Sequence, residues 1–450
     1  MKPQKPNNEP QLFQSSFAAI LNPDHPLIQL ADAIAWDQLD AQLANCYSAD
    51  MGRPGNATRL MVGLHYLKHT FDESDESVVA RWLENPYWQY FCGYHYMQHE
   101  FPLHPTSLVK WRQRVGADRM EVLLAETLAT ARRQKYLKPA EAREVIVDTT
   151  VQEKAIAYPT DARLYYKSIR RLIRLAKRYH IPLRQSYVRV SKREFFQQGR
   201  YARARQYQRS GRHVRKLKTY LGRLIRDIER KGPQSEKEVA VMLERTKSIH
   251  ARQKDDKHKL YSLDAPEVEG ISKGKTGKRY EFGCKVSVSI THKGNWVTSA
   301  TAFHGNPYDG HTLADTLAKS ELLSGQRVEK AYVDQGYRQH DYLGSAVIYQ
   351  QGRPQKTLSA WFKKKLRRRS AIEPSIGHLK DDNRMRKNHL KGEIGDKINA
   401  ILAAAGYNMR KLLAAFLYAL WKWLADFIER PAMPIIKQTI LCFAKIKSIT

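Results

Sequence analysis

Acidic side chains are in short supply in this chain: its 450 residues carry 45 Asp and Glu against 77 Lys and Arg, a formal net charge of +32. Solubility needs far less charge than that, so the imbalance points to a polyanionic partner, nucleic acid first. Cysteine is scarcer still. Cys46, Cys92, Cys284 and Cys442 are spaced too widely for a zinc knuckle or a disulfide framework, which excludes the small disulfide-stapled classes and indicates a reducing compartment. Long apolar runs are missing too. The opening MKPQKPNNEPQLFQ has no signal-peptide core, and LLAAFLYALW, flanked by Arg410, Lys411 and Lys422, is only 10 residues long, too short for a bilayer and suited to a buried helix. With 42% hydrophobic residues, the length supports two or three domains with cores of their own.

What is present is organised in blocks. Residues 1–135 carry helical spacing, in RLMVGLHYLKHTF at Leu60, Leu64 and Leu67 and in ESVVARWLEN at Val78, Val79, Trp82 and Leu83. Short helices with tight connections suit a DNA-binding helix-turn-helix module, and equally a plain pair of packed amphipathic helices. His95, His99 and His104 lack the cysteine pair and ligand spacing of a zinc site. EVIVDTT is a β-branched run ending in a carboxylate, so 140–160 should hold a buried strand with Asp148 at its end.

Residues 161–262 are expected to be a basic helical insertion. Between 161 and 260 there are 30 Lys and Arg against 9 Asp and Glu, which places +21 of the chain's +32 in this stretch. Two apolar stripes, Ile169, Leu172, Ile173 and Ala176, then Val214, Leu217, Leu221, Leu224 and Ile228, predict long helices packed together with arginines outward. A solvated face normally mixes signs, yet RYARARQYQRSGRHVRKLK holds no acid. Arg203, Arg205, Arg209, Arg212 and Arg215 are therefore expected to grip DNA, while Tyr201, Tyr207 and Tyr220 either stack on it or pack between helices.

From residue 263 to 410 strand patterns return. RYEFGCKVSVSI alternates Phe282, Cys284, Val286 and Val288, and THKGN joins it to WVTSATAFH as a hairpin. DGHTLADTLAKSELLSG follows as a helix, with Asp309 more often a cap there than a metal ligand, which it could also be; VEKAYVDQGY predicts a strand ending at Asp334, and AVIYQ a shorter one. Asp264 and Glu267 bracket Pro266 in the connection that leaves the insertion, and residues 411–450 form a helical tail.

Removing the insertion leaves strand, hairpin, helix, strand, short strand, helix, with carboxylates at Asp148, Asp334 and Glu373. That order is that of an α/β ribonuclease H-like core, a mixed sheet flanked by helices. Glu373 follows KKKLRRR and precedes Lys380, so it stands where lysines and arginines can neutralise phosphates while a carboxylate holds a metal. VDTT, YEFGCKVS, GNPYDGHTL, YVDQGY and RRSAIEP, in that order over roughly residues 50 to 410, resemble bacterial insertion-sequence transposases of the IS5 family, within the IS4/IS5 group of DDE transposases. The group's signature Tyr-x2-Arg-x3-Glu-x6-Lys is matched by Arg369, Glu373 and Lys380, with Leu366 in the tyrosine position.

The resemblance implies that Asp148, Asp334 and Glu373 are catalytic and hold Mg²⁺ or Mn²⁺, two ions in all, and that Arg369 and Lys380 contact DNA near the cut. It implies cleavage at the element's ends and transfer of the 3′-hydroxyl to target DNA, without a covalent protein–DNA intermediate. The partners would be double-stranded DNA, as terminal inverted repeats and target, and other copies of the chain on it; no membrane is expected, and the place of action would be the bacterial cytoplasm at the nucleoid. Two rivals fit the same residues: a ribonuclease H-fold nuclease without strand transfer, and a non-catalytic DNA-binding protein descended from a transposase. A tyrosine recombinase is disfavoured, since no tyrosine here follows the expected Arg/His set.

Overall fold

In the computed structural model, which describes residues 13–48, 54–233, 235–253, 259–272, 279–350 and 359–429 with positions 3, 9, 255 and 256, and side chains as far as Tyr418, the run EVIVDTTVQEK forms a central strand, β1 (Glu144–Lys154). Among the described residues six more strands join it in one mixed sheet: β2 (Glu269–Ser272), β3 (Tyr280–Thr291), β4 (Val297–Phe303), β5 (Lys330–Val333), β6 (Val347–Gln350) and β7 (Lys387–Asn388). The main path is β4-β3-β1-β5-β6, antiparallel from β4 through β3 to β1 and parallel from β1 through β5 to β6. The hairpin between β3 and β4 turns at Asn295, whose φ is 54°. β2 pairs with the start of β3, and β7 with the far end of β1.

Register decides what meets at the sheet's centre. β1 and β5 pair from Glu144 with Lys330 to Ile146 with Tyr332, so the two strands run side by side toward Asp148 and Asp334. Across the other edge of β1, Asp148 faces Val288 and Gln152 faces Cys284. Alternation sends Val145, Val147 and Val333 to one face, where they pack with Leu313 and Leu317 of α12 (Leu313–Ser324); Ile146, Val286, Val288 and Ile290 go to the other.

The N-terminal third is helical, as its spacing predicts: α1 (Phe17–Ile20), α2 (Pro26–Ala33), α3 (Trp36–Leu43), α4 (Thr58–Thr70), α5 (Asp75–Glu84), α6 (Pro86–Phe91) and α7 (Thr106–Arg133), the last broken at Gly116. These helices do not keep a core to themselves. One hydrophobic cluster runs from Phe17 through α4, α7 and the sheet to Phe416, because α15 (Gly392–Glu429) lies between the N-terminal helices and β4. Its small residues, Ala403, Ala404, Ala405 and Gly406, permit the close approach; a Cβ on Gly406 would sit 2.6 Å from the backbone of His69. The short apolar run LLAAFLYALW thus belongs to a helix of 38 residues. Its segment Gly392–Tyr418 is long and apolar enough to cross a membrane by composition, but 67% of that window is buried inside the fold, as in a core helix. α4 is buried on every side, so it has no face to offer a DNA groove; the exposed side of this region includes Lys110, Gln113 and Arg114 at the front of α7.

Two buried cations and a neutral histidine gather about one carboxylate at the junction of α4, α5 and α7. Arg112 donates to both oxygens of Asp75, at 2.9 and 2.6 Å, and Lys68 donates to it at 2.7 Å. Burial alone would raise the Asp75 carboxyl, but Arg112 and Lys68 overcome it and hold it well below the usual range. Burial, then the Arg112 charge, lowers Lys68 to about 8. His65 is brought to about 3 by the same two causes, so it is neutral; its Nδ1–H donates to Met61 and leaves Nε2 to accept from Arg112. Asp75→Asn should therefore cost about 3–5 kcal/mol, a melting-temperature fall on the order of 10 °C, by leaving two buried cations unpaired. Since the folded-state pKa of Asp75 is depressed, its contribution is complete above about pH 4 and drains as pH falls further. Thermal melts of the two proteins should differ most at pH 7 and draw only partway together at pH 3, because the paired carboxyl titrates well below the usual range.

The basic insertion stands apart with its own core. α8 (Asp161–Arg178), α9 (Val188–Arg203), α10 (Tyr207–Lys231) and α11 (Lys237–Ala251) bury Ile169, Leu172, Leu217, Leu221, Leu224 and Ile228 against one another, following the predicted stripes. After β6, α13 (Ala360–Arg367) leads through a 3₁₀ turn at Arg368–Ala371 into α14 (Ile372–Asp381).

Candidate active site

The strand ends, one turn and one helix bring acids together on both sides of β1. Asp148 is half-buried, and one of its oxygens accepts from the Thr149 amide at 2.8 Å. Asp334 follows the last residue of β5, and its Oδ1 accepts from the Gly336 amide at 2.8 Å, a turn that fixes the carboxylate's direction. Glu373 is the second residue of α14 and is anchored by its neighbours, since Ile372 and Leu379 are fully buried while its own side chain is 64% exposed. Pro374 falls in the first turn, where a missing amide is tolerated, and the 3₁₀ turn before it accommodates the ring. Leu366, in the place of the signature tyrosine, is a core residue at 5% exposure.

Arg369 lies between two of the acids. Its Nη1 is 3.5 Å from Asp148 Oδ2 and its Nη2 is 3.2 Å from Glu373 Oε1, so a cationic group already bridges β1 and α14. The rest of KKKLRRR divides in two. Lys365 donates to both oxygens of Glu144, at 2.9 and 2.8 Å, and Arg368 donates to the carbonyls of His292 and Lys293. These two residues and Arg369 have intramolecular partners, whereas Lys364 and Arg367 are exposed. Lys380 lies about two turns beyond Glu373 on α14, at an intermediate depth.

A fourth carboxylate departs from the capping expectation. Asp309 caps no helix: it opens a short 3₁₀ turn, and its Oδ1 accepts from the Thr149 hydroxyl at 2.9 Å and from Lys285 Nζ at 2.8 Å. A Cβ on Gly336 would meet Asp334 Oδ1 at 3.0 Å and Asp309 Oδ2 at 3.3 Å, so the two acids crowd one glycine. Tyr337 is buried beside them; burial pushes its phenol well up, and the charges of Asp148, Asp309 and Asp334 push it further. Thr149, Lys285, Asp309 and Tyr337 thus belong to the acidic centre. No local pattern marks them: Lys285 sits on the polar side of the YEFGCKVS alternation, and Asp309 in GNPYDGHTL reads as a helix cap.

The oxygen-only donor set suits Mg²⁺ or Mn²⁺, which favour carboxylates and water. The position of Arg369 supports that fit, since its guanidinium stands in for positive charge between Asp148 and Glu373. Elsewhere, Arg203, Arg205, Arg209, Arg212 and Arg215 are all exposed at the α9–α10 corner. Tyr201 stacks on His213 and Tyr220 on Tyr187, so these two pack between helices, whereas Tyr207 is 71% exposed. Glu267, expected in an open connection, is instead buried against Lys154 at 2.8 Å. Among the described residues His95, His99 and His104 form no ligand cluster. Cys442 lies outside the described residues, as does the basic loop around Pro354.

Comparison with known proteins finds two transposase families along the chain. The family described as Transposase domain (DUF772) matches residues 15–114, and the family described as Transposase DDE domain matches residues 330–413, which include Asp334, Arg369, Glu373 and Lys380. The chain is 48% identical over 208 residues to the Rhizobium meliloti protein "Uncharacterized protein ORF8 in nfe locus", an alignment covering 46% of this chain and all of that protein. No solved structure matches the chain significantly. The chain shares a family with that rhizobial protein and, by its two transposase domains, belongs to the DDE transposases.

Proposed function

We propose that this chain is a transposase of the IS5 type that cleaves DNA at the ends of its own element and joins the freed 3′-hydroxyl to target DNA, with Asp148, Asp334 and Glu373 as its catalytic acids on a ribonuclease H-like core. The observation that carries this is the convergence of Asp148 and Asp334 from adjacent parallel strands with Glu373, tied back to Asp148 through Arg369. The strand order β4-β3-β1-β5-β6, with its antiparallel and parallel halves, supports the core assignment.

The three acids would hold Mg²⁺ or Mn²⁺, two ions in all, which supply an activated oxygen nucleophile and stabilise the leaving oxygen in an in-line displacement. The protein's own groups do the rest. With metal held between the acids, Arg369, which here pairs with Asp148 and Glu373, would contact a phosphate instead, and Lys380, along the helix of Glu373, would hold the strand. Lys285 and Thr149 hold Asp309 close to Asp334 across Gly336, where it adds negative charge near the metal position. The exposed arginines of the insertion hold duplex DNA by its backbone, and the joining of two element ends calls for more than one copy of the chain, acting at the nucleoid.

The test is a strand-transfer assay with a labelled duplex of the element's end and a supercoiled target. Joined product should form with Mg²⁺ or Mn²⁺, stop in EDTA, and fall to a trace with Ca²⁺ while binding persists. Cleavage without joining would favour the nuclease reading, and binding without cleavage the non-catalytic one.

A further inference from the structure

A second group of metal-ligating side chains lies at the other end of β1. Cys284 faces Gln152, which is four residues beyond Asp148, roughly 13 Å along the strand. Beside it stand His304, just after β4, and Asp396, in the first turns of α15. The Cys284 sulfur, one imidazole nitrogen and one Asp396 oxygen all lie within 4.8 Å of one another. Cys284 is 0% exposed and Asp396 2%. Both ring nitrogens of His304 and the Oε2 of Glu269 are closed off from solvent with no hydrogen-bond partner among the described residues.

Each ligand atom is held from behind. Lys154 and Asn388 donate to Asp396 Oδ1 at 2.9 and 2.6 Å, which turns Oδ2 toward His304 Nε2 at 3.8 Å. Gln152 Nε2 approaches the Cys284 sulfur at 3.6 Å, and Glu269 Oε1 stands 3.9 Å from His304 Nδ1. A carboxylate on the far nitrogen of an imidazole is how proteins orient a metal-binding histidine. Charge argues the same way: the one ammonium of Lys154 is shared by the buried carboxylates of Glu267 and Asp396, while Glu269 stands beside His304, a deficit of positive charge that a divalent cation removes.

We propose that Cys284, His304 and Asp396 bind one Zn²⁺ ion, with Glu269 orienting His304 and a water completing the tetrahedron. Thiolate, imidazole and carboxylate together suit zinc and disfavour magnesium, so the two ends of β1 sort two metals by ligand type. The site joins β2, where the chain returns from the insertion, to the β3–β4 hairpin and the start of α15, and it fixes the exit of the insertion on the sheet. Burial, and secondarily the Asp396 charge, pushes the Cys284 thiol up, so it is protonated without metal. Binding forms the sulfur–zinc bond and releases that proton to the buffer.

Titration calorimetry of the full-length chain with Zn²⁺, in excess Mg²⁺ and in two buffers of different ionisation enthalpy, tests this. One equivalent should bind with release of about one proton per ion, and Co²⁺ in place of Zn²⁺ should show a near-ultraviolet sulfur-to-cobalt band on the unaltered chain. Cys284→Ser should abolish that band, and C284S and His304→Gln should each weaken Zn²⁺ binding by about 100-fold; Glu269→Gln, which keeps all three ligands, should weaken it by about 10-fold. Absence of the cobalt band in the unaltered chain, or Zn²⁺ affinity unchanged in well-folded C284S and H304Q, would overturn the proposal and leave the pocket as a metal-free ion network.

Discussion

Asp148→Asn should reduce strand cleavage by about 10³-fold or more and leave binding to the element's ends within about threefold. The substitution keeps the shape of the side chain and its contact with the Thr149 amide, so the fold has no reason to change. What it removes is one negative donor at the point where the leaving and attacking oxygens must both be stabilised, and a preorganised electrostatic contact of that kind is worth about 3–4 kcal/mol or more. Affinity for DNA, by contrast, comes from phosphate contacts spread over the protein. Asp334→Asn and Glu373→Gln should behave alike, and parallel cleavage and gel-shift measurements on one end-containing duplex separate the two functions. Full cleavage by any of the three variants would remove that residue from the set. Asp309 provides an internal contrast, because its Oδ1 is already engaged by Thr149 and Lys285, and Asp309→Asn should leave measurable cleavage.

The second large effect is expected at the insertion. Changing Arg203, Arg205, Arg209, Arg212 and Arg215 together to glutamine should weaken DNA binding for every sequence and flatten the slope of log K against log salt by about 4 to 5 units, since each neutralised phosphate contributes about 0.9. All five side chains are exposed, and the contacts of Arg209 with Gln206 and with the Tyr201 ring lie at the surface, so helix content and melting temperature should hardly move. The core that keeps these helices together, from Ile169 to Ile228, is untouched by the change. Fluorescence anisotropy at several salt concentrations gives the slope. An unchanged slope in a folded variant would move DNA contact to the exposed front of α7 and to Lys364 and Arg367.

Much of the architecture could be read from local pattern, because local physics dictates it. β-branched residues in EVIVDTT, alternation in YEFGCKVSVSI and the short run before Asp334 each specify a strand wherever they stand, and the 3-4 spacing of the insertion specifies packed helices. The helix of Glu373 was legible for the same reason, with Pro374 acceptable only near its start. What escaped depends on distance along the chain. Thr149 and Asp309 meet across 160 positions, and Arg369 reaches Asp148 across 221, so neither contact leaves a trace in either segment alone. Cys284 looked like an ordinary strand residue because its neighbours His304 and Asp396 come from another strand and another helix. The N-terminal helices looked self-sufficient because an apolar stripe does not say which partner covers it.

That shared core has a consequence for biosynthesis. About 260 residues separate the end of α7 at Arg133 from the start of α15 at Gly392, the helix that covers α4 and α7. At translation rates of about 5–20 residues per second, the N-terminal helices emerge from the ribosome tens of seconds before that cover exists. Throughout that interval the apolar sides of α4 and α7 that α15 covers stay open, while the insertion, with its own core, can fold as soon as it is made. The nascent chain is therefore a client for holdase chaperones during synthesis, and a product terminated before α15 would be cleared by proteolysis instead of persisting as a free DNA-binding fragment.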